Sequence, residues 1–533
     1  MKLTSLFTYL FLFLMCSCVS VEKYNAHIDK KIPANKLKKD VDFAYKKLKR
    51  YHPKLDMYLT QNELDFKFDS LKKTLTKSLK PNDFHIKFFP IFESLEHGHT
   101  YIYPIYKRLN KKEIKQYKDS KSAFNDYSFF WKNDSVFLIH DQSKINPINP
   151  GSALVFIDNI PTQYLYDKYK KSIFGDGKNT TFTDNVFNRT FLNYVTLEQG
   201  IKDSVELTFL MGNKPIRKKT FRTYPKSKET EKKELPKITK EQKQIDRKVR
   251  IKQKTYGYSK NSAAYSKDLS FPTNDSTIAV LKVTDFRKGK IQELYKEVFT
   301  DIKNHKVQNL VLDLRNNGGG FIKDAHYLYA YLVDDSKSFL GEKIVANKTS
   351  FGKSLYNIFP TYTYPILWLG SGYTYFATSK NSDNEYELNI PLSFVKIDKS
   401  LIYKGNLYVM INGGSYSASS LISTNLQLKN RAFFVGEETG GDFNGTVAGL
   451  MPKFTLPHSK LQMSVGTVYL SPIEKREEMG HGVYPNQEIK PTLEHKIKRI
   501  DPELNWILND IKKENAVYNK VLQIENHLLD LSR

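Results

Sequence analysis

Between residues 34 and about 96, apolar side chains recur every three or four positions. Leu37, Val41, Ala44 and Leu48 form one stripe, and Leu64, Phe68, Leu71 and Leu75 another. That period predicts amphipathic helices. Pro81-Asn82-Asp83 reads as a helix start ahead of Phe84, Phe88, Phe92 and Leu95, and the helical block stops at His97-Gly98-His99-Thr100, before the alternating Tyr101-Ile102-Tyr103. From residue 125 to about 224 the period shortens. Phe129-Phe130-Trp131, Ser135 to His140, Ala153 to Ile157 and Val205 to Phe209 predict short strands, with turn residues at Asn149-Pro150-Gly151 and Asp158-Asn159. A helix carrying Tyr164, Leu165 and Tyr169 lies among them. Residues 226 to 254 hold few apolar anchors and no aromatic residue, which predicts a solvated loop or an exposed helix.

From about residue 270 to 495 the pattern is α/β. Ile278 to Val283, Leu310 to Leu314, Leu407 to Ile411 and Phe433 to Val435 are compact apolar strands, and helical stretches such as Ile291 to Lys303 and Ser419 to Leu428 lie between them. Pro502 to Leu529 predicts a helical tail. The segment Pro150-Gly151-Ser152-Ala153-Leu154-Val155-Phe156-Ile157-Asp158-Asn159-Ile160-Pro161 resembles the middle of a PDZ domain, a fold that holds extended peptide tails at a sheet edge.

The first residues have another purpose. Met1-Lys2 is a basic start, Leu6 to Met15 is an apolar run too short to span a bilayer, and Cys16-Ser17-Cys18 follows. A cysteine after a small residue at this point resembles a bacterial lipobox, with Cys18 as the lipidated residue in preference to Cys16. A plain cleaved signal is the alternative. The chain has only these 2 cysteines, so the mature fold is expected to have no disulfide and no thiolate metal site. The 83 basic and 57 acidic side chains leave a net charge of +26 over 533 residues. That charge is spread along the chain, without zinc-finger spacing or an aromatic-basic RNA-recognition motif, so nucleic acid is not expected as a partner; a general compositional bias explains the charge equally well, and contact with an anionic membrane surface fits it better than nucleic acid does.

Three segments of the α/β region carry chemistry. Leu310-Val311-Leu312-Asp313-Leu314-Arg315-Asn316-Asn317-Gly318-Gly319-Gly320 is a buried strand running into a glycine turn, where backbone N–H groups can face a substrate oxygen. Asn412-Gly413-Gly414-Ser415-Tyr416-Ser417-Ala418-Ser419-Ser420 takes a strand through small residues into a helix, which puts a hydroxyl at a helix N-terminus. Phe433-Phe434-Val435-Gly436-Glu437-Glu438-Thr439-Gly440-Gly441 is a strand ending in a further glycine turn.

In this order the segments resemble the carboxyl-terminal processing (tail-specific) and tricorn-like serine peptidase family, a likeness extended by Gly482-Val483-Tyr484-Pro485-Asn486 and covering about residues 255 to 495. The resemblance implies a ClpP/crotonase-like α/β core within an α+β multidomain chain. The expected layout is a leader at 1–18, a helical domain at 19–124, a PDZ-like domain at 125–225, a linker at 226–254, a catalytic core at 255–498 and a helical tail at 499–533.

Carried across, the family's nucleophile falls on Ser417, with the N–H of Ala418 and of Gly319 or Gly318 as oxyanion donors. Processing proteases place a lysine base in a Gly-Lys-Gly turn; here Gly441 is followed by Asp442, so the Ser–Lys dyad is absent. The tricorn-like branch draws a histidine from the upstream helical domain, and Gly98-His99-Thr100 resembles its Gly-His-Thr element. That makes His99 the expected base, with His97 as the rival, and Glu478 the expected acid, with Glu477, Glu437 and Asp442 as alternatives. His481 is a further candidate lining residue. The expected substrate is a protein or peptide, with no metal and no organic cofactor.

Overall fold

The computed structural model describes residues 20–225 and 239–514, apart from 261, 274–275, 335–338, 342–343, 383 and 390–394. Cys18, residues 226–238 of the linker and the last part of the tail lie outside the described residues. The molecule is a mixed α/β multidomain protein.

Its centre is a sheet of six strands in the order 487–488, Phe433–Gly436, Asn406–Ile411, Asn309–Asp313, Ile278–Val283 and Lys267–Ser270. The first five run parallel, and the last is an antiparallel edge. Parallel strands covered on both faces lack polar alternation, which is why these segments read as unbroken apolar runs. Helices Ile291–Asn304, Ile322–Leu332 and Ala418–Leu428 supply Leu294, Val298, Leu328 and Leu426 to one face. A helix over 502–514 lays Ile507 and Ile511 on the other, against Val280, Val311 and Met410.

The helical block is not self-contained. Helices Ala34–Tyr51, Gln61–Thr74 and Pro81–Glu93 bury the predicted stripes, but the core they form also takes Phe454, Leu456, Leu461, Met463 and Val465 from the catalytic region. Tyr101–Tyr103 pairs antiparallel with Gln462–Ser464, which pairs in turn with Lys453–Thr455. The Asp40 carboxylate accepts the amides of His458 and Ser459 across the same junction, at 2.9 and 2.6 Å. A domain boundary at residue 124 therefore separates chain segments but not a core.

Residues 127–221 form an antiparallel six-stranded sheet, in which Tyr127–Lys132, Ser135–Asp141, Ala153–Ile157, Ser204–Met211 and Lys214–Phe221 follow in order and the short Ile160–Pro161 pairs with Ala153–Ile157, packed with helices Thr162–Tyr169 and Thr181–Gln199. The second helix has no counterpart in the sequence reading. Its buried Phe187, Phe191, Tyr194 and Val195 hold the helical period, but neighbouring strand signals mask it. Residues 240–255 form a helix, the second of the two states predicted for that stretch. Short strands, including Val345–Ala346, Thr446–Ala448 and Val468–Leu470, make a further antiparallel sheet beside the core.

Candidate active site

Ser417 stands where the strand Asn406–Ile411 has ended and the helix Ala418–Leu428 begins. Side chains pin the intervening turn. Asn412 Oδ1 accepts the amides of Gly414 and Asn316, and the Ser415 hydroxyl donates to the carbonyl of Leu314 at 2.8 Å. Ser417 itself has φ 60° and ψ −123°, a costly conformation for a residue with a Cβ. Its hydroxyl makes no cap bond to the helix, so the strain holds it out of the capping role and free for another partner.

That partner is His99, whose Nε2 lies 3.1 Å from Ser417 Oγ. The imidazole stacks on the ring of Tyr416 with centroids 4.9 Å apart, and its Nδ1 meets the hydroxyls of Tyr416 and Thr446, each at 3.1 Å. The Tyr416 hydroxyl donates to Oδ1 of Asp176 at 3.0 Å, and the amide of Gly98 donates to the same oxygen at 2.9 Å. A Cβ on Gly98 would overlap the Tyr416 hydroxyl, so only glycine lets the His99 segment approach this closely. The donors form one consistent series: Ser417 O–H to His99 Nε2, His99 Nδ1–H to Tyr416, and Tyr416 O–H to Asp176.

Burial, and after it the positive charge of Arg287, hold the His99 pKa down to about 4, so the imidazole is neutral at physiological pH and has a nitrogen free to accept a proton. Burial raises Asp176 to about 7, with the Asp442 charge adding to the effect.

The expected oxyanion donors lie against the nucleophile. Gly319 has φ 85°, and a Cβ there would sit 2.7 Å from the Cβ of Ser417 and 2.9 Å from the amide nitrogen of Ala418. The N–H of Gly319, however, already donates to Asn317 Oδ1 at 2.9 Å. Of the two glycines, Gly318 is therefore the one whose amide has no partner among the described residues, as has Ala418.

The structure does not bring Glu478 to the imidazole. Its carboxylate is half exposed, pairs with Arg476 at 3.2 Å and accepts from Tyr484 at 3.1 Å. A carboxylate held by a surface arginine has no reason to leave water. Glu437, Asp442 and Glu477 are likewise absent from the partners of His99. Asp442 is buried, accepting from Tyr58 at 2.6 Å, Asn444 at 2.7 Å and Gly480 at 2.8 Å; it ties the turn together where the processing proteases keep lysine. His97 is buried against His52 and Tyr58 with its Nε2 2.8 Å from the Lys54 carbonyl, a structural position. His481 pairs with Glu438 at 3.2 Å.

Asp176, Tyr416 and Thr446 were missed. Asp176 sits between two glycines, Gly175 and Gly177, a signature of a tight turn that was available in the sequence. Tyr416 lay inside the nucleophile motif but reads as an ordinary apolar residue. Among the described residues, no group of three His, Cys, Asp or Glu is placed to hold a metal ion.

Residues 277–489 match the model of peptidase family S41. A stretch of 170 residues is 25% identical to the tail-specific protease of Haemophilus influenzae, covering 32% of this chain and only 18% of that protein's length. Among solved structures, a CPAF mutant superimposes with a TM-score of 0.54 at 13% identity, over 88% of this chain and 95% of the other. Mature CPAF complexed with lactacystin gives 0.50 at 14% identity, over 91% and 98%. Those two likenesses are of fold. Residues 277–489, which hold the Ser417 turn and both glycine turns, are the part of the chain that matches peptidase family S41.

Proposed function

We propose that the protein is a serine-type peptidase of the cell envelope that cleaves proteins or peptides with Ser417 as nucleophile and His99 as base. The observation that carries this reading is the 3.1 Å approach of His99 Nε2 to Ser417 Oγ, at a helix N-terminus and beside unpartnered backbone amides. Ser417 Oγ bonds to the substrate's carbonyl carbon while its proton passes to His99 Nε2. The resulting oxyanion is met by the N–H groups of Ala418 and Gly318 and by the positive end of helix Ala418–Leu428. Collapse breaks the C–N bond, and the imidazolium returns its proton to the leaving amine. Water then attacks the acyl-enzyme with His99 again as base, releasing the acid and restoring Ser417. Asp176, acting through the Tyr416 hydroxyl, stabilises the imidazolium in both steps. No step calls for a metal or organic cofactor.

The leader reading places the reaction outside the cytoplasm, with the chain held to a membrane by lipid on Cys18. In the same reading, the sheet of residues 127–221 offers an edge to an extended substrate tail. The test is covalent labelling with a fluorophosphonate probe and hydrolysis of a peptide library. Ser417→Ala is expected to lose both, with turnover falling by about 10⁴-fold or more. Undiminished hydrolysis by that variant would overturn the assignment.

A further inference from the structure

The helical hairpin made by Ser350–Ile358 and Tyr364–Phe376 has its polarity reversed. Its seam is built from small and hydroxylated residues. Gly352 faces Ser371 and Thr374 so closely that a Cβ there would come within 2.6 Å of Thr374 Oγ1, and Ser350, Ser354 and Thr374 are buried. The seam hydroxyls satisfy themselves on their own helices: Ser354 donates to the Ser350 carbonyl at 2.6 Å, and Thr374 to the Ser371 carbonyl at 3.0 Å. The large apolar side chains point outward instead. Phe376 is 86% exposed, Tyr362 82%, Ile366 75%, Trp368 70% and Leu369 66%. A helix pair in water buries such residues and exposes serine and threonine. Small residues at the seam with apolar residues outside is the arrangement suited to lipid.

Charge points the same way. From residue 343 to 382 the chain has no Asp or Glu, and its only charged side chains are Lys343, Lys348, Lys353 and Lys380. The outward set is rich in tyrosine and tryptophan, the residues favoured at the level of lipid headgroups. With 13 residues, Tyr364–Phe376 is too short to cross a bilayer, and no helix among the described residues is long and apolar enough to do so. A second copy of the chain would need a complementary apolar surface, but it would not explain lysines without a single acid. An anionic bilayer explains both features.

We propose that residues 350–376 form a membrane-interface element that lies in the headgroup region of an anionic lipid bilayer, through Ile366, Trp368 and Phe376. This contact is independent of the acyl chain expected on Cys18 and of the peptidase reading. It would hold the catalytic domain itself against the membrane, apart from any anchor at the N-terminal end of the chain.

The test uses the polypeptide from Ser20 onward, which keeps every described residue and lacks any lipid. Co-sedimentation is measured with vesicles of phosphatidylcholine alone and of phosphatidylcholine mixed with phosphatidylglycerol. Binding is expected to the anionic vesicles and to weaken with salt, and Trp368 fluorescence is expected to be quenched by brominated lipid. The triple variant Ile366→Ser, Trp368→Ser, Phe376→Ser should bind at least about tenfold more weakly. Its far-ultraviolet circular dichroism and its hydrolysis of a small soluble peptide should be unchanged. Failure of the unsubstituted protein to bind vesicles, or equal binding by the triple variant, overturns the proposal. So does a dimer by light scattering that the triple variant converts to monomer, since the surface would then belong to a second copy.

Discussion

The hydroxyl of Tyr416 lies 3.0 Å from Oδ1 of Asp176 and 3.1 Å from Nδ1 of His99, so it bridges the two. In the proposed mechanism Asp176 therefore acts on His99 through a phenol rather than by direct contact. Tyr416→Phe keeps the ring that stacks on His99 but cuts the series. It is expected to lower kcat by about 10²-fold with little change in KM, because the lost interaction strengthens only when the imidazole is charged. Asp176→Asn should have a similar effect. The double variant should be little worse than either alone, since both changes break one series. Multiplicative losses measured by steady-state kinetics would mean that the two residues act separately.

If His99 is the base, as proposed, its pKa of about 4 is expected to set the acid side of the pH profile. Protonation of Nε2 removes the acceptor for the Ser417 proton, so activity is lost as pH falls through the folded-state value. The acidic limb of kcat/KM is expected near pH 4, well below the ordinary histidine value of about 6.5. Arg287 is the charge that lowers His99 after burial. Arg287→Ala should move that limb upward, and Arg287→Lys should largely keep it in place. A limb at the same pH in all three proteins would remove Arg287 from the electrostatics of the site.

Lys267 is wholly buried in the catalytic core, donating to Asp324 at 2.9 Å and to the carbonyls of Lys288 and Asp285, while Tyr295 donates to the other oxygen of Asp324 at 2.7 Å. Lys267→Met leaves a buried carboxylate facing one phenol and two orphaned carbonyls. It is expected to destabilise the protein by about 3–5 kcal/mol. Adding Asp324→Leu should recover part of that loss, because the second change removes the stranded charge. Thermal unfolding of the two variants measures both effects.

What the sequence made legible followed from continuity. Ile278–Val283, Asn309–Asp313, Asn406–Ile411 and Phe433–Gly436 are buried on both faces, so each is a run that no helix period explains. The turn that carries Ser417 could be read because the constraint on it is local: a strand, a turn of small residues and a helix, all contiguous. The carboxylate linked to His99 through Tyr416 could not be found that way. Asp176 lies in a loop of the β-rich segment and reaches the site only after three parts of the chain have packed, whereas Glu478 is close to the motifs in sequence and belongs to the surface. The hairpin of residues 350–376 escaped for another reason. Helix Tyr364–Phe376 is apolar nearly all round, so no amphipathic stripe marks it.

Because His99 comes from the helical block and Ser417 from the α/β core, the junction between them should control turnover as well as stability. Asp40 is wholly buried at that junction, and its carboxylate accepts the amides of His458 and Ser459. Those residues lead into strand Gln462–Ser464, the partner of Tyr101–Tyr103, which begins two residues after His99. Asp40→Ala strands two amide donors and is expected to cost about 2–3 kcal/mol. The same change loosens the strand pairing that aims the imidazole, and a displacement near 1 Å at a reacting pair costs about 10²-fold in rate. Asp40→Ala should therefore lower kcat about tenfold or more at temperatures well below its own unfolding transition. Asp40→Asn, which keeps one acceptor, should restore much of the rate. A variant that loses only thermal stability and keeps full kcat would show that the junction carries weight without aiming His99.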